Sequence, residues 1–135
     1  MIDWSKQEAT TLAEFEAIAA AAYKRLPARF RALTGDLLIR IEDFATDEVL
    51  DQMGIESAFD LLGLYSCVDL ARKSVMDVSA MPDMVFLYRR PILDYWAEHE
   101  ETLGHVITHV LIHEIGHHFG LSDADMERIE AEAAG

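Results

Sequence analysis

Residues 109–126 read HVLIHEIGHHFGLSDADM, and four of the six histidines of the chain lie in the first ten of these positions. The apolar residues between the histidines recur at helical spacing, which predicts a helix with one apolar face and imidazoles beside it. Gly120 is typical of the residue that ends a helix, and an acidic segment follows it. This stretch therefore determines the C-terminal part of the fold and holds the strongest candidate site.

The segment His113-Glu114-Ile115-Gly116-His117 has the spacing of the short zinc motif of metalloproteases. Residues four apart in a helix share one face and lie about 6 Å apart along the axis, so both imidazoles can reach one cation. Glu114 lies about 100° around the axis from His113 and can contact a water on the ion. The alternative is that both histidines are satisfied interior residues, but a buried Glu114 would then be costly without a cation.

A catalytic zinc needs a third protein ligand and an open position for water. Gly120 can adopt the left-handed conformation that turns the chain back, which lets Asp123 reach the same ion. The pattern His-Glu-x-x-His-x-x-Gly-x-x-Asp thus predicts His113, His117 and Asp123 as Zn²⁺ ligands. Glu114 is the predicted catalytic residue, acting as general base.

The remaining histidines have several interpretations. His109, one turn before His113, is interpreted as packing or as support for a ligand, because a fourth ligand would close the site to water. His118 either caps the helix or hydrogen-bonds substrate or Asp123. His105 is interpreted as a surface residue and Met126 as core. The acidic residues near the C-terminus are interpreted as a solvated face: Asp125, Glu127, Glu130 and Glu132.

Peptide hydrolysis also requires a stabiliser of the oxyanion and a surface for the substrate. The sequence offers Tyr65, Tyr88 and His118 as stabilisers. Peptides commonly add as a strand to a sheet edge, and VFLYRR is one candidate edge, with Arg89 and Arg90 meeting a substrate carboxylate. The alternative is an interior strand whose arginines pair with local acidic residues.

The rest of the chain predicts a small α+β domain. Capping-box spacing at Thr11 begins a helix that ends at Pro27, a short helical turn follows, and residues 37–43 form a strand. A short helix then runs from its cap Thr46 to Gly54. Around Gly63 a strand is expected, with a helix as the alternative for the first half of that segment.

A second clear strand follows Asp83 and ends at Pro91, which suggests an edge position because proline cannot continue a ladder. Helical spacing begins at Ile92 and breaks near His99. After Gly120 a short acidic helix completes the domain.

Composition excludes several functions. The formal charge of −14 disfavours nucleic acid and anionic membrane surfaces as partners, because both require a basic surface. Cys67 is the one cysteine, so no internal disulfide can form, and neither a secretory signal nor a transmembrane run is recognised. The cytoplasm is the expected location, and nothing in the sequence indicates an oligomeric state.

From FDLLGLY through MPDMVFLYRRPILDYW to the histidine stretch, roughly residues 59–130, the chain resembles the small bacterial zincin-like metallopeptidases. The resemblance implies a minimal zincin-like α+β fold, with a small mixed sheet packed against an N-terminal helix and a C-terminal active-site helix. It also implies zinc ligands at His113, His117 and Asp123, with Glu114 as base. Cys67 stands where that family usually has glycine, so the conformation of its loop stays open.

The leading hypothesis is a zinc-dependent peptidase, weak or highly selective because a domain this small has little room for a walled cleft. A metal-stabilised binding module without turnover is the first alternative, and the presence of Glu114 disfavours it. A zinc nuclease or other hydrolase is the second, and the negative charge disfavours it.

Overall fold

The structure is a computed structural model that describes residues 3–66 and 83–134, so Cys67 and its loop lie outside the described residues. Short 3-10 turns occur at Trp4–Lys6 and Ala58–Asp60. The described helices and strands are, in chain order, α1 (Leu12–Arg25), α2 (Ala28–Arg31), β1 (Leu38–Glu42), α3 (Asp47–Met53), β2 (Gly63–Ser66), β3 (Met84–Tyr88), α4 (Arg89–Ala97), α5 (Leu103–His118) and α6 (Asp123–Ala134).

Local capping signals explain most of the helix boundaries. The Thr11 hydroxyl accepts from the Glu14 backbone N–H at 3.1 Å and the Glu14 carboxylate accepts from the Thr11 N–H at 3.1 Å, which confirms the capping box of α1. Thr46 caps α3, and Gly54 ends that helix at a φ of 68°. The predicted break near His99 is the interval between α4 and α5. None of the described helices is long and apolar enough to span a bilayer.

The strands form one mixed sheet in the order β1-β3-β2, with β1 parallel and β2 antiparallel to β3. The predicted edge position of β3 is wrong, because β3 is the central strand. Pro91 ends no strand. It lies in the first turn of α4, where a helix has no partner for a backbone N–H, so the helix starts at Arg89 instead of Ile92.

The arginines after β3 therefore begin a helix. Arg89 donates from Nε to Asp43 Oδ1 at 2.7 Å and from Nη1 to the Thr10 carbonyl at 2.7 Å. Its side chain is 16 % exposed. The interior-strand alternative is thus the one that the structure supports, and Arg89 joins three segments of the fold.

One hydrophobic core fixes α5 in place. Phe15, Ala19 and Ala22 of α1 are fully buried, and α1 packs against α5 and β1. The buried residues of α5 belong to the same core: Val106, Ile107, Val110, Leu111, Ile112 and Ile115. The predicted α+β fold class is confirmed, with a small mixed sheet, an N-terminal helix and a C-terminal helix that carries the histidines.

Candidate metal centre

Three histidines form a column on α5, at every fourth residue. The rings of His109 and His113 have centroids 4.1 Å apart, and those of His113 and His117 are 5.5 Å apart and nearly perpendicular. The column ends at the helix terminus, where His117 is exposed. His105, one turn earlier, lies at the surface, with Nε2 3.5 Å from Glu101 Oε1.

The turn between α5 and α6 is fixed by backbone hydrogen bonds. Gly120 has a φ of 73°, the left-handed conformation expected from the sequence. The Leu121 N–H donates to the Gly116 carbonyl at 2.8 Å and the Gly120 N–H to the His117 carbonyl at 3.2 Å, which is a Schellman motif. The Ser122 hydroxyl then accepts from the Asp125 N–H at 3.1 Å. Asp123 is therefore the first residue of a helix.

A close contact between Gly116 and Met126 holds α6 against the histidine helix. A Cβ atom on Gly116 would lie 2.8 Å from Met126 Cγ, so a side chain at this position would displace the methionine. Met126 is fully buried, as expected for a core residue. Gly116 lies between His113 and His117 in the sequence, so this contact brings α6 close to the part of α5 that carries the histidines.

Glu130 of α6 lies beside the histidines, and the expectation that it belongs to a solvated face is wrong. Its Oε1 contacts His109 Nδ1 and lies 3.5 Å from His113 Nε2. That oxygen is buried and accepts no hydrogen bond in the described part of the chain. The available sequence signal was its spacing, because Glu130 follows Asp123 by two helical turns and therefore shares its face.

His113 lies at the centre of this arrangement. Burial lowers the pKa of His113, the charges of His109 and His117 act in the same direction, and those of Glu130 and Asp123 oppose them. A lowered pKa favours the neutral imidazole, which is the form that binds a metal. Asp123 is thus close enough to His113 to interact with it, although its own side chain is exposed.

Within residues 3–66 and 83–134, one group of potential ligand atoms lies within 4.8 Å of one another: His109, His113 and Glu130. His117 and Asp123, predicted from the motif, are not in this group. Two imidazoles and a buried carboxylate oxygen without a hydrogen bond are a suitable donor set for a divalent cation, so the residues present fit a metal.

Glu114 lies off the histidine column, towards β2. A Cβ atom on Gly63 would lie 3.2 Å from Glu114 Cγ and 2.9 Å from Val110 Cγ1, so glycine is what allows the helix to approach the strand. Burial raises the pKa of Glu114 to about 7, and a hydrogen bond from the Tyr65 backbone opposes that shift. A carboxyl group with a pKa near 7 can both accept and donate a proton at neutral pH.

The three oxyanion candidates lie in different surroundings. Tyr65 stacks its ring on exposed His118 with centroids 3.9 Å apart, and its hydroxyl donates to Asp83 Oδ2 at 2.6 Å. Tyr88 is 2 % exposed, and burial raises its pKa to about 12. Tyr65 and His118 therefore border the site, whereas Tyr88 is enclosed in a small core cluster with Ala45, Leu50 and Leu61.

Comparison with known proteins gives one family. The family model described as zincin-like metallopeptidase matches residues 34–133, which run from just before β1 to the last turn of α6. No match was found among curated proteins.

Proposed function

The chain belongs to the family of zincin-like metallopeptidases, and on this premise we propose that it hydrolyses peptide bonds with Zn²⁺ held by His113, His117 and Asp123. One observation supports this proposal most strongly: the packing of α5 against Gly63 holds Glu114 next to the histidine column, where burial raises its pKa to about 7 in the metal-free chain. No basic side chain of the described residues pairs with it. A structural metal site needs no such group, whereas hydrolysis needs a base.

A zinc ion bound there would polarise a carbonyl and make water more acidic. Glu114 accepts the proton of the attacking water, and its carboxylate is held for this step by the Tyr65 backbone. The same carboxyl group then delivers the proton to the leaving amine. His118 is exposed and its ring stacks on that of Tyr65, so His118 is the proposed hydrogen-bond donor to the oxyanion. Tyr88 is too deeply buried for that role.

A peptide or protein substrate would bind along β2. Among the described strands, β1 and β2 form the edges of the sheet, and β2 borders Glu114 through Gly63 and Tyr65. An extended peptide that hydrogen-bonds to β2 would pass beside the base. Arg89 has no part in this binding, because its guanidinium is occupied by Asp43 and the Thr10 carbonyl.

The test compares zinc-loaded wild type with Glu114→Gln on a broad peptide library. We expect the variant to keep its zinc by elemental analysis and to lose at least 10²-fold in cleavage rate, because a general base contributes about that much or more. His113→Ala should lose the zinc itself. Stoichiometric zinc without any cleavage that depends on Glu114 would overturn the proposal in favour of a binding module.

A further inference from the structure

The ligands predicted from the motif belong to a longer row of histidines and carboxylates on α5 and α6. α5 carries His109, His113 and His117 at successive intervals of four residues, and α6 carries Asp123 and Glu130 seven residues apart. Because α6 is packed along α5, Glu130 lies beside His109 and His113, and Asp123 lies close enough to His113 to affect its pKa. The row therefore contains two possible ligand sets, and His113 belongs to both.

The second set already has the spacing of metal ligands. Glu130 Oε1 is 3.5 Å from His113 Nε2, and the three candidate atoms all lie within 4.8 Å of one another. Zinc bound tetrahedrally at about 2.1 Å places its ligand atoms about 3.4 Å apart. An ion could enter with small side-chain movements, which would separate the Glu130 oxygen from His109.

The environment of Glu130 also favours a cation. Its buried Oε1 faces the imidazoles of His109 and His113 but accepts no hydrogen bond from the described residues, so a cation among the three groups would compensate its buried charge. A cavity of about 230 Å³ borders His109 and Glu130 and provides access. Arg25 lines the same cavity but forms no ion pair with Glu130.

We propose that His109, His113 and Glu130 form a second divalent-cation position, alternative to the motif position of His113, His117 and Asp123. The two positions compete, because a neutral His113 has one lone pair to offer. The residue after His109 is Val110, so the second position lacks a base at the place that Glu114 takes in the motif position. That the second position is catalytically silent rests on the proposed function, whereas its ability to bind metal does not.

The experiment measures binding of Co²⁺ or Zn²⁺ alone to the full chain, by equilibrium dialysis and the visible absorption of Co²⁺. His117→Ala removes a ligand of the motif position and leaves the second set intact. We expect this variant to bind one ion per chain, and Glu130→Gln added to it to weaken that binding at least ten-fold. Glu127→Gln, an exposed substitution on the same helix, is the matched control and should change nothing.

Asp123→Ala removes the ligand that α6 contributes to the motif position, so this variant should bind metal as His117→Ala does. Circular dichroism checks that every variant is folded. The proposal is overturned if neither variant binds an ion, or if Glu130→Gln weakens binding no more than Glu127→Gln. If the peptidase proposal is wrong, the zinc-loaded wild type will cleave no peptide, but the variants will still bind an ion at the second position.

Discussion

The surroundings of Glu114 change its pKa, and this change makes the stability of the fold depend on pH. Its carboxyl has a pKa of about 7 in the folded, metal-free chain, against an ordinary value of 4.5, because the packing of α5 on β2 removes water from it. The unfolded chain therefore ionises at lower pH than the folded chain. Below pH 4.5 this difference has no effect on stability, and above it the free energy of unfolding falls until the folded carboxyl has also ionised.

We predict that Glu114→Gln raises the free energy of unfolding of the metal-free protein more at pH 8 than at pH 5, in each case relative to the wild type. The gain should be about 2 kcal/mol, below the full value of the pKa shift because the carboxyl retains some access to solvent. Urea denaturation of both proteins with a chelator at the two pH values measures it. An equal stability difference at pH 5 and pH 8 would mean that Glu114 has an ordinary pKa.

The residues of the site differ in how far the sequence could predict them. His113, Glu114 and His117 lie on one helix, so their relative positions follow from the helical period alone. The place of Glu130 depends on how α6 is rotated against α5, and α6 packs there through the Gly116–Met126 contact and the core residue Ile129. The stacking of Tyr65 on His118 likewise joins a strand to a helix. Such contacts between distant segments leave no periodic signal.

At the scale of the elements, Gly63 and Gly104 differ in what surrounds them. At Gly63 a Cβ would meet Val110 Cγ1 at 2.9 Å and the Phe86 carbonyl at 3.1 Å. At Gly104, in the first turn of α5, a Cβ would meet nothing within 4 Å. The first glycine is required by packing, and the second is not.

We predict that Gly63→Ala destabilises the fold by about 1–3 kcal/mol, because the methyl group overpacks the contact between α5 and β2. It should also slow cleavage by displacing Glu114. Gly104→Ala, the matched control, should stabilise the helix by about 0.5–1 kcal/mol. Thermal unfolding of the two variants measures both effects, and equal shifts would contradict the close approach at Gly63.

The elements themselves were mostly predictable, because caps and turn residues are local signals. Thr11, Thr46 and Gly54 mark helix boundaries through contacts with their own chain neighbours, so these signals do not depend on how the helix packs in the fold. The order of the strands is not local. Pro91 predicted a strand end, but it lies in the first turn of α4, and it could not show that β1 and β2 lie on either side of β3.

The whole molecule carries a formal charge of −14, which opposes its own compact state. Salt screens such repulsion, with a Debye length of about 8 Å at physiological ionic strength. Exposed ion pairs such as Arg29–Glu132 weaken in salt, but they contribute little to stability. Repulsion among the excess acids should therefore dominate the response of the fold to salt.

We predict that the melting temperature rises by about 3 °C between 10 and 150 mM NaCl, which corresponds to somewhat less than 1 kcal/mol. Glu8→Lys with Glu16→Lys changes two exposed positions, removes two negative charges and adds two positive charges, which takes the net charge from −14 to −10. The melting temperature of this double variant should rise less with NaCl concentration than that of the wild type. A melting temperature that falls with salt would show that ion pairs outweigh the repulsion.

The family match begins at residue 34, whereas the core of α1 begins at Phe15. A fragment trimmed to residues 34–133 would keep every proposed ligand but lose the helix whose Phe15, Ala19 and Ala22 are fully buried in the same core as α5. The apolar side of α5 that α1 covers would then face water, and exposed patches of that kind promote self-association. We expect this fragment to elute as aggregates in size-exclusion chromatography, so the part of the chain that identifies the family is smaller than the part that can fold alone.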